Sequence, residues 1–169
     1  MWYVIQTKAG REAYVQQLVE KTVDSSLYSE LFIPKYEVMK RYHGQWQRRA
    51  EPLFTGYLFV ITNTVEALAA ALRPVPALTK VLGANNLFTP LNDEEVRVID
   101  AFTNTNHRVV DISEGIIEGD TVVLFKGPLM GHEALIKKID RHKRIAYVEL
   151  ELCGRRKQVK VGLEIIRKS

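Results

Sequence analysis

The sequence predicts an α+β protein in two parts. An N-terminal α/β sandwich, with helices flanking a mostly antiparallel sheet, is followed by a small SH3-like β-barrel. Three observations carry this prediction: strand and helix patterns mix over residues 1–102, a polar stretch without helical period follows at 103–115, and only short strand patterns come after it. We therefore predict domains at 1–104 and 118–169, joined by a linker at 105–117.

Strands and helices of the N-terminal part follow from periodicity. Apolar residues at helical spacing predict three helices, and Asn92 with Glu95 forms a capping box at the start of the third. Runs rich in β-branched and aromatic residues predict strands, and His43-Gly44 predicts a hairpin tip between basic arms that expose Trp46. The helices are predicted at 11–23, 64–76 and 91–102, and the extended segments at 2–7, 30–54, 56–62 and 78–83.

The C-terminal part alternates short strands with turns. Within 145–152 every second residue is apolar, so Ala146, Val148, Leu150 and Leu152 are predicted to face the barrel core. The other strands are predicted at 121–125, 134–139 and 158–166.

Charge is unevenly distributed along the chain. Residues 1–118 contain 12 Lys and Arg against 14 Asp and Glu, whereas residues 119–169 contain 12 against 6, a net charge of −2 against +6. A compact basic segment beside a slightly acidic one indicates contact with nucleic acid. The alternative is an ordinary solvated surface.

The turns of an up-and-down barrel place the basic residues in two clusters about 26 Å apart, the length of an eight-residue strand. The first cluster is predicted at one end and the second at the other, so that a nucleic-acid stem lying along the barrel would touch both. The first comprises Lys126, His132, Arg155, Arg156 and Lys157. The second comprises Arg141, His142, Lys143 and Arg144.

Catalytic and metal-binding patterns are missing from the sequence. We find no phosphate-binding glycine loop, no zinc-ligand spacing and no triad, so we expect neither enzymatic activity nor a cofactor. Cys153 has cationic neighbours that would activate a thiol. It is better explained as a small residue before a turn glycine. The chain has no apolar run that would span a membrane and no signal peptide, so we expect a cytoplasmic protein.

Several segments in the right order resemble the NusG family of transcription elongation factors. EPLFTGYLFV at 51–60 resembles the signature strand of its N-terminal domain. The segment from Glu118 to Val161 resembles a KOW domain, with its Gly-Asp start, Gly-Pro turn and late Gly-Arg. WYVIQ, LTKVLG and TPLNDEEV match further blocks, so the resemblance covers nearly the whole chain.

This resemblance implies an N-terminal domain that binds the clamp of RNA polymerase's largest subunit through an apolar depression. Tyr57 and Phe59 fall where the family's clamp-binding aromatics lie, and Leu82 and Phe54 would complete the pocket. Core packing is the alternative for both aromatics. The implied KOW barrel recruits other factors.

Two departures from the family pattern matter. Thr55 replaces the usual proline, and Cys153 stands where housekeeping members have a phenylalanine that contacts Rho or a ribosomal protein. With the basic barrel, this resembles the LoaP type of paralogue, a processive antiterminator that recognises an RNA hairpin. We expect a monomer. Its eight predicted RNA-binding residues are all the members of the two clusters except His142. Non-template DNA is a further candidate ligand. The rival hypotheses are a housekeeping factor with a protein-binding barrel and a ribosome-associated protein that binds rRNA.

Overall fold

The computed structural model describes residues 1–75, 80–81, 83–84, 87–88, 90–104 and 108–166. Its helices and strands confirm the predicted α+β fold class. The chain divides into two compact units, Met1–Pro34 with Phe54–Val96 and Lys35–Leu53 with Arg97–Ser169. Segment 35–53 thus groups with the barrel, although the sequence assigns it to the N-terminal domain. The boundaries of separately folding domains, 1–104 and 118–169, stay a prediction.

The helices are α1 (Glu12–Thr22), α2 (Val65–Leu72) and α3 (Asp93–Phe102), in that order. The strands are β1 (Trp2–Gln6), β2 (Glu30–Phe32), β3 (Lys35–Tyr42), β4 (Gln45–Pro52), β5 (Tyr57–Ile61), β6 (Lys80–Val81), β7 (Gly83–Ala84), β8 (Leu87–Phe88), β9 (Val109–Val110), β10 (Ser113–Glu118), β11 (Thr121–Lys126), β12 (Ile136–Asp140), β13 (Ile145–Leu152) and β14 (Arg155–Ile165). None of the helices within the described residues is long and apolar enough to cross a membrane.

An antiparallel sheet in the order β2-β5-β1-β6 forms the centre of the first unit. Side chains alternate across it, so that Ile5 and Leu58 point to one face and join the core that Val15 and Val19 of α1 share. Leu68 and Leu72 of α2 belong to the same core. Burial of these apolar side chains stabilises the unit, each by roughly 1.5–3 kcal/mol relative to an exposed position.

The predicted capping box begins α3. The Asn92 N–H donates to Glu95 Oε1 at 3.0 Å, and the Glu95 N–H donates to Asn92 Oδ1 at 2.8 Å. This reciprocal pair satisfies two backbone groups at the helix start and confirms the prediction from sequence.

Five strands in the order β11-β10-β14-β13-β12 form the barrel sheet of the second unit. The alternation predicted for β13 is confirmed, because Ala146 and Val148 have no exposed surface and Leu150 and Leu152 are nearly as buried. Strand β10 begins at Ser113, inside the stretch assigned to the linker. It pairs with its neighbour β11 in antiparallel and, over Ser113–Gly115, with β14 in parallel.

The hairpin of β3 and β4 packs against the barrel within the second unit. Its tip has the predicted form, with positive φ at His43 (50°) and Gly44 (79°). At Gly162 of β14 the barrel lies so close to the hairpin that an added Cβ would fall 2.2 Å from the Glu37 carbonyl oxygen. The hairpin is therefore docked on the barrel near Glu37, while residues 40–50 remain exposed, Trp46 among them as predicted.

Candidate nucleic-acid interface

The turn between β12 and β13 presents a run of basic side chains. Asp140 Oδ1 accepts a hydrogen bond from the Lys143 N–H at 3.0 Å. That N–H, helped by the Lys143 charge, holds the pKa of Asp140 below its ordinary value. Arg144 closes the turn with φ of 58°. Arg141, His142 and Lys143 are left exposed, and contact of this turn with RNA stays a prediction.

Arg144 is engaged within the protein. Its guanidinium lies 3.8 Å from the centre of the Trp46 ring, and its Nη1 lies 3.2 Å from Glu164 Oε1. Stacking of a guanidinium on an indole is favourable because the ring face is electron-rich. Arg144 thus links the barrel to the hairpin, a role that its sequence position did not reveal.

A polar cluster across the hairpin consists of Tyr36, Lys40 and Glu51. Glu51 accepts a hydrogen bond from the Tyr36 hydroxyl at 3.0 Å and pairs with the Lys40 ammonium at 2.7 Å. Partial burial acts to raise the pKa of Glu51, but these two hydrogen bonds and the charges of Lys40 and Lys160 outweigh it and lower the pKa. Burial, with the Glu51 acceptor, raises the pKa of Tyr36. Glu51 is therefore ionised, and it orients Lys40.

At the opposite end of the barrel, β13 and β14 are joined by a two-residue turn. Cys153 and Gly154 both have positive φ, 52° and 75°, as a type I′ turn requires. Arg155 and Arg156 follow and are exposed, and Arg156 Nε lies 3.5 Å from Glu149 Oε1. Cys153 thus serves the turn, as the sequence suggested. The half-buried Lys157 completes the cluster at this end.

Cys153→Val is expected to destabilise the protein by about 1–2 kcal/mol, because a β-branched residue fits poorly at positive φ. Cys153→Asn is the matched control, since asparagine tolerates this conformation. Urea unfolding followed by circular dichroism would compare the two. Equal stability of both variants would contradict the role assigned to this position.

The grouping of Lys126 with Arg155–Lys157 is wrong. Lys126 pairs with Glu114 near the start of β10, and β10 runs parallel to β14 with Ser113 beside Leu163. That end of the sheet also carries the 140–144 turn, because Asp140 pairs with Ile145 and Ile145 pairs with Gly162. The sequence argument assumed a hairpin between β11 and β12, but these strands lie at opposite edges of the sheet.

His132 belongs to the long connection that crosses the barrel from β11 to β12. Its ring meets the buried Phe102 edge to face, with ring centres 4.8 Å apart. The half-buried imidazole therefore packs within the second unit, and the structure does not bring it together with the arginines of the β13–β14 turn as one exposed surface.

Two of the predicted clamp residues, Tyr57 and Phe59, lie on the second face of the first unit's sheet. Phe59 has no exposed surface, and its ring lies 5.6 Å from the rings of both Phe54 and Phe32. Tyr57 shares its face and is half-buried. Leu82 lies outside the described residues. Of the three described residues, Tyr57 alone has substantial exposed surface, and binding of a polymerase by this face stays a prediction.

The sequence argument missed the basic residues of the hairpin. Together with the 141–144 turn, the hairpin lines a groove of about 620 Å³, which we call the hairpin groove. Lys40, Arg41 and Trp46 come from the hairpin, and Lys160 comes from β14. The exposed tryptophan between basic strands was the signal in the sequence. Within the described residues, no group of His, Cys, Asp and Glu side chains has the arrangement of a metal site.

Comparison with known proteins gives the family. The family model described as "NusG: Transcription termination factor nusG" matches residues 1–100, more than half of the chain. The chain belongs to the NusG family.

Two curated relatives extend the match over nearly the whole length. The transcription termination/antitermination protein NusG of Campylobacter jejuni is 23% identical over 165 residues, covering 95% of this chain and 92% of the relative. The protein of the same name from Yersinia pestis is 26% identical over 175 residues, covering 99% and 95%. Among solved structures, "Domain interaction in Thermotoga maritima NusG" matches with a TM-score of 0.51 at 22% identity, covering 97% and 93% of the two chains. This structural likeness supports the fold.

Proposed function

We propose that this chain is a non-enzymatic transcription elongation factor that acts as a processive antiterminator of the LoaP type. Its N-terminal part binds RNA polymerase, and its basic barrel binds a structured nascent RNA. Membership of the NusG family and relatives named as termination/antitermination proteins support the role in transcription. The observation that carries the RNA-binding part is the net charge of +6 on residues 119–169, from 12 basic and 6 acidic residues.

Two basic ends of the barrel support RNA as the ligand. Arg155 and Arg156 are exposed at one end, and Arg141 and Lys143 are exposed at the other, with Lys126 beside them. The eight residues of β13 between these ends span about 26 Å, so a stem along the barrel would reach both. Arginine suits such contacts because its planar fork donates two hydrogen bonds to a phosphate.

A protein ligand for the barrel is the second candidate, in the manner of a housekeeping family member that binds Rho or a ribosomal protein. Three large apolar side chains, Val123, Phe125 and Met130, are 41–49% exposed on the edge strand β11 and the loop after it. Exposed apolar side chains on one edge favour a protein contact. This edge and the basic ends are separate features, so the two candidates are tested separately.

The direct test is titration of the full chain into a fluorescein-labelled RNA hairpin that contains an internal loop. We expect binding that weakens steeply with salt, because each neutralised phosphate releases a counterion. Arg155→Gln with Arg156→Gln should weaken binding roughly tenfold at physiological salt and reduce the salt slope by about 1.8, or 0.9 per lost phosphate contact.

Lys8→Gln with Lys21→Gln is the matched control. It removes the same charge from exposed positions of the first unit and should leave RNA binding within about twofold, since distant exposed charges are screened. Absence of RNA binding by the full chain even at low salt would overturn the RNA-binding proposal. Pull-down of Rho or a ribosomal protein by the same chain would then favour the second candidate.

A further inference from the structure

The hairpin groove is lined mainly by cations. Its charged lining consists of the hairpin residues Lys40 and Arg41, the turn residues Arg141, Lys143 and Arg144, and Lys160 of β14, joined by His142. No carboxylate is among the described residues that line it. Like charges gathered in a concave surface focus a positive potential, which attracts anions into the groove.

The pairing of these cations within the protein is incomplete. Lys40 pairs with Glu51 at 2.7 Å, and Arg144 pairs with Glu164 at 3.2 Å. Arg41 and Arg141, by contrast, have no carboxylate within 4.0 Å among the residues that the structure describes. Their side chains are exposed, so a phosphate would meet them without first displacing an ion pair.

An aromatic surface accompanies the charge. Trp46 lines the groove, and the Arg144 guanidinium is stacked on its ring at 3.8 Å. Tyr36 lines the same groove. Bases of single strands stack on aromatic rings and on guanidinium planes, whereas the bases of a duplex are paired and turned inward. Cations beside an aromatic ring in one groove are thus suited to unpaired nucleotides.

We propose that the hairpin groove binds a short single-stranded stretch of RNA, with phosphates at Arg41, Arg141 and Lys143 and a base stacked on the Trp46–Arg144 pair. This inference rests on the proposed function, in which nascent RNA is the ligand. It adds that the unpaired nucleotides of that RNA enter the groove between hairpin and barrel, so that specificity depends on the hairpin as well as on the barrel.

The first experiment measures binding of the full chain to labelled oligouridylate of about 12 nucleotides, within the length that single-strand grooves cover. The groove variant combines Arg41→Gln, Arg141→Gln and Lys143→Gln. It should weaken binding at least tenfold and lower the salt slope by about 2, or 0.7 per lost contact with a single strand. The control removes three charges elsewhere, by Lys8→Gln, Lys21→Gln and Arg73→Gln, and should leave the slope unchanged. An unchanged slope in the groove variant would overturn the proposal.

The second experiment uses Trp46 as a reporter. The chain has two tryptophans, so Trp2→Phe leaves Trp46 as the only one. A base stacked at this site should quench its fluorescence, with the same midpoint as binding measured by anisotropy. Binding by anisotropy without any change in Trp46 fluorescence would contradict stacking in the groove.

Other nucleic acids separate this inference from the proposed function. RNA duplex of equal length should be at least tenfold less effective than oligouridylate in quenching Trp46, because a stem bound at the basic ends of the barrel does not stack on that ring. Equal quenching by the duplex would overturn the single-strand assignment. Tighter binding of oligothymidylate, a single-stranded DNA, than of oligouridylate would overturn RNA as the ligand of the groove. If the full chain binds the internal-loop hairpin RNA but Arg41→Gln, which leaves the basic ends of the barrel intact, binds it equally well, the groove inference fails and the proposed function stands. If the chain binds no RNA, both fail.

Discussion

Phe59→Ala is expected to lower the free energy of unfolding by about 3–5 kcal/mol, the usual cost of removing a buried phenylalanine side chain. The reason is that Phe59 has no exposed surface and meets the rings of Phe54 and Phe32, each with its centre 5.6 Å away. Urea unfolding of the full chain by circular dichroism measures this loss. Phe59→Leu keeps an apolar side chain of similar length and should cost much less.

Tyr57→Ala is the informative partner of that variant. Tyr57 lies on the same face of β5 but is only half-buried, so its removal should cost less stability than that of Phe59. On the proposed function Tyr57→Ala should nevertheless weaken polymerase binding in a pull-down and leave RNA binding unchanged. Polymerase binding at the level of the unmodified chain would argue against Tyr57 as a contact.

Unchanged stability of Phe59→Ala would contradict the packing described for the second face of the sheet.

Gly162→Ala is expected to destabilise the second unit by about 3 kcal/mol, at the upper end of the cost of overpacking. A Cβ at this position would lie 2.2 Å from the Glu37 carbonyl oxygen and 2.8 Å from Ile112 Cγ1. A backbone oxygen in a paired strand has little room to retreat, so the hairpin must move away from the barrel. Hydrogen exchange should then show faster exchange in β3 and β4.

Gly119→Ala is the contrast for that experiment. Gly119 has a φ of 61°, and an added Cβ there would meet nothing within 4 Å, so only backbone strain of about 1 kcal/mol is expected. The docking of the hairpin on the barrel would be contradicted by two results together. Gly162→Ala would lower the free energy of unfolding no more than Gly119→Ala does, and hydrogen exchange in β3 and β4 would be unchanged.

Local features of this fold were predictable from sequence. The Asn92–Glu95 capping box, the His43-Gly44 tip and the alternation of buried residues in β13 each depend on residues close together in the chain. Their periodicity and turn chemistry are fixed by backbone geometry that a few neighbouring residues determine.

Features that depend on distant pairings were not predictable in this way. The assignment of Lys126 to the wrong end of the barrel followed from assuming that β11 and β12 pair, whereas β11 pairs with β10 and β12 pairs with β13. Docking of the hairpin on the barrel depends on Gly162, which in sequence is simply a glycine within a strand. Arg144 and Trp46 are 98 residues apart, so no local pattern indicates their stacking.

Transcription by purified RNA polymerase through an intrinsic terminator tests RNA-dependent antitermination most directly. Two templates are compared, identical except that one carries the leader of a candidate target operon upstream of the terminator. We expect the full chain to increase read-through only on the template with the leader, and Arg155→Gln with Arg156→Gln to abolish that increase. Equal read-through on both templates, or no effect of the chain on either, would contradict antitermination through a nascent RNA.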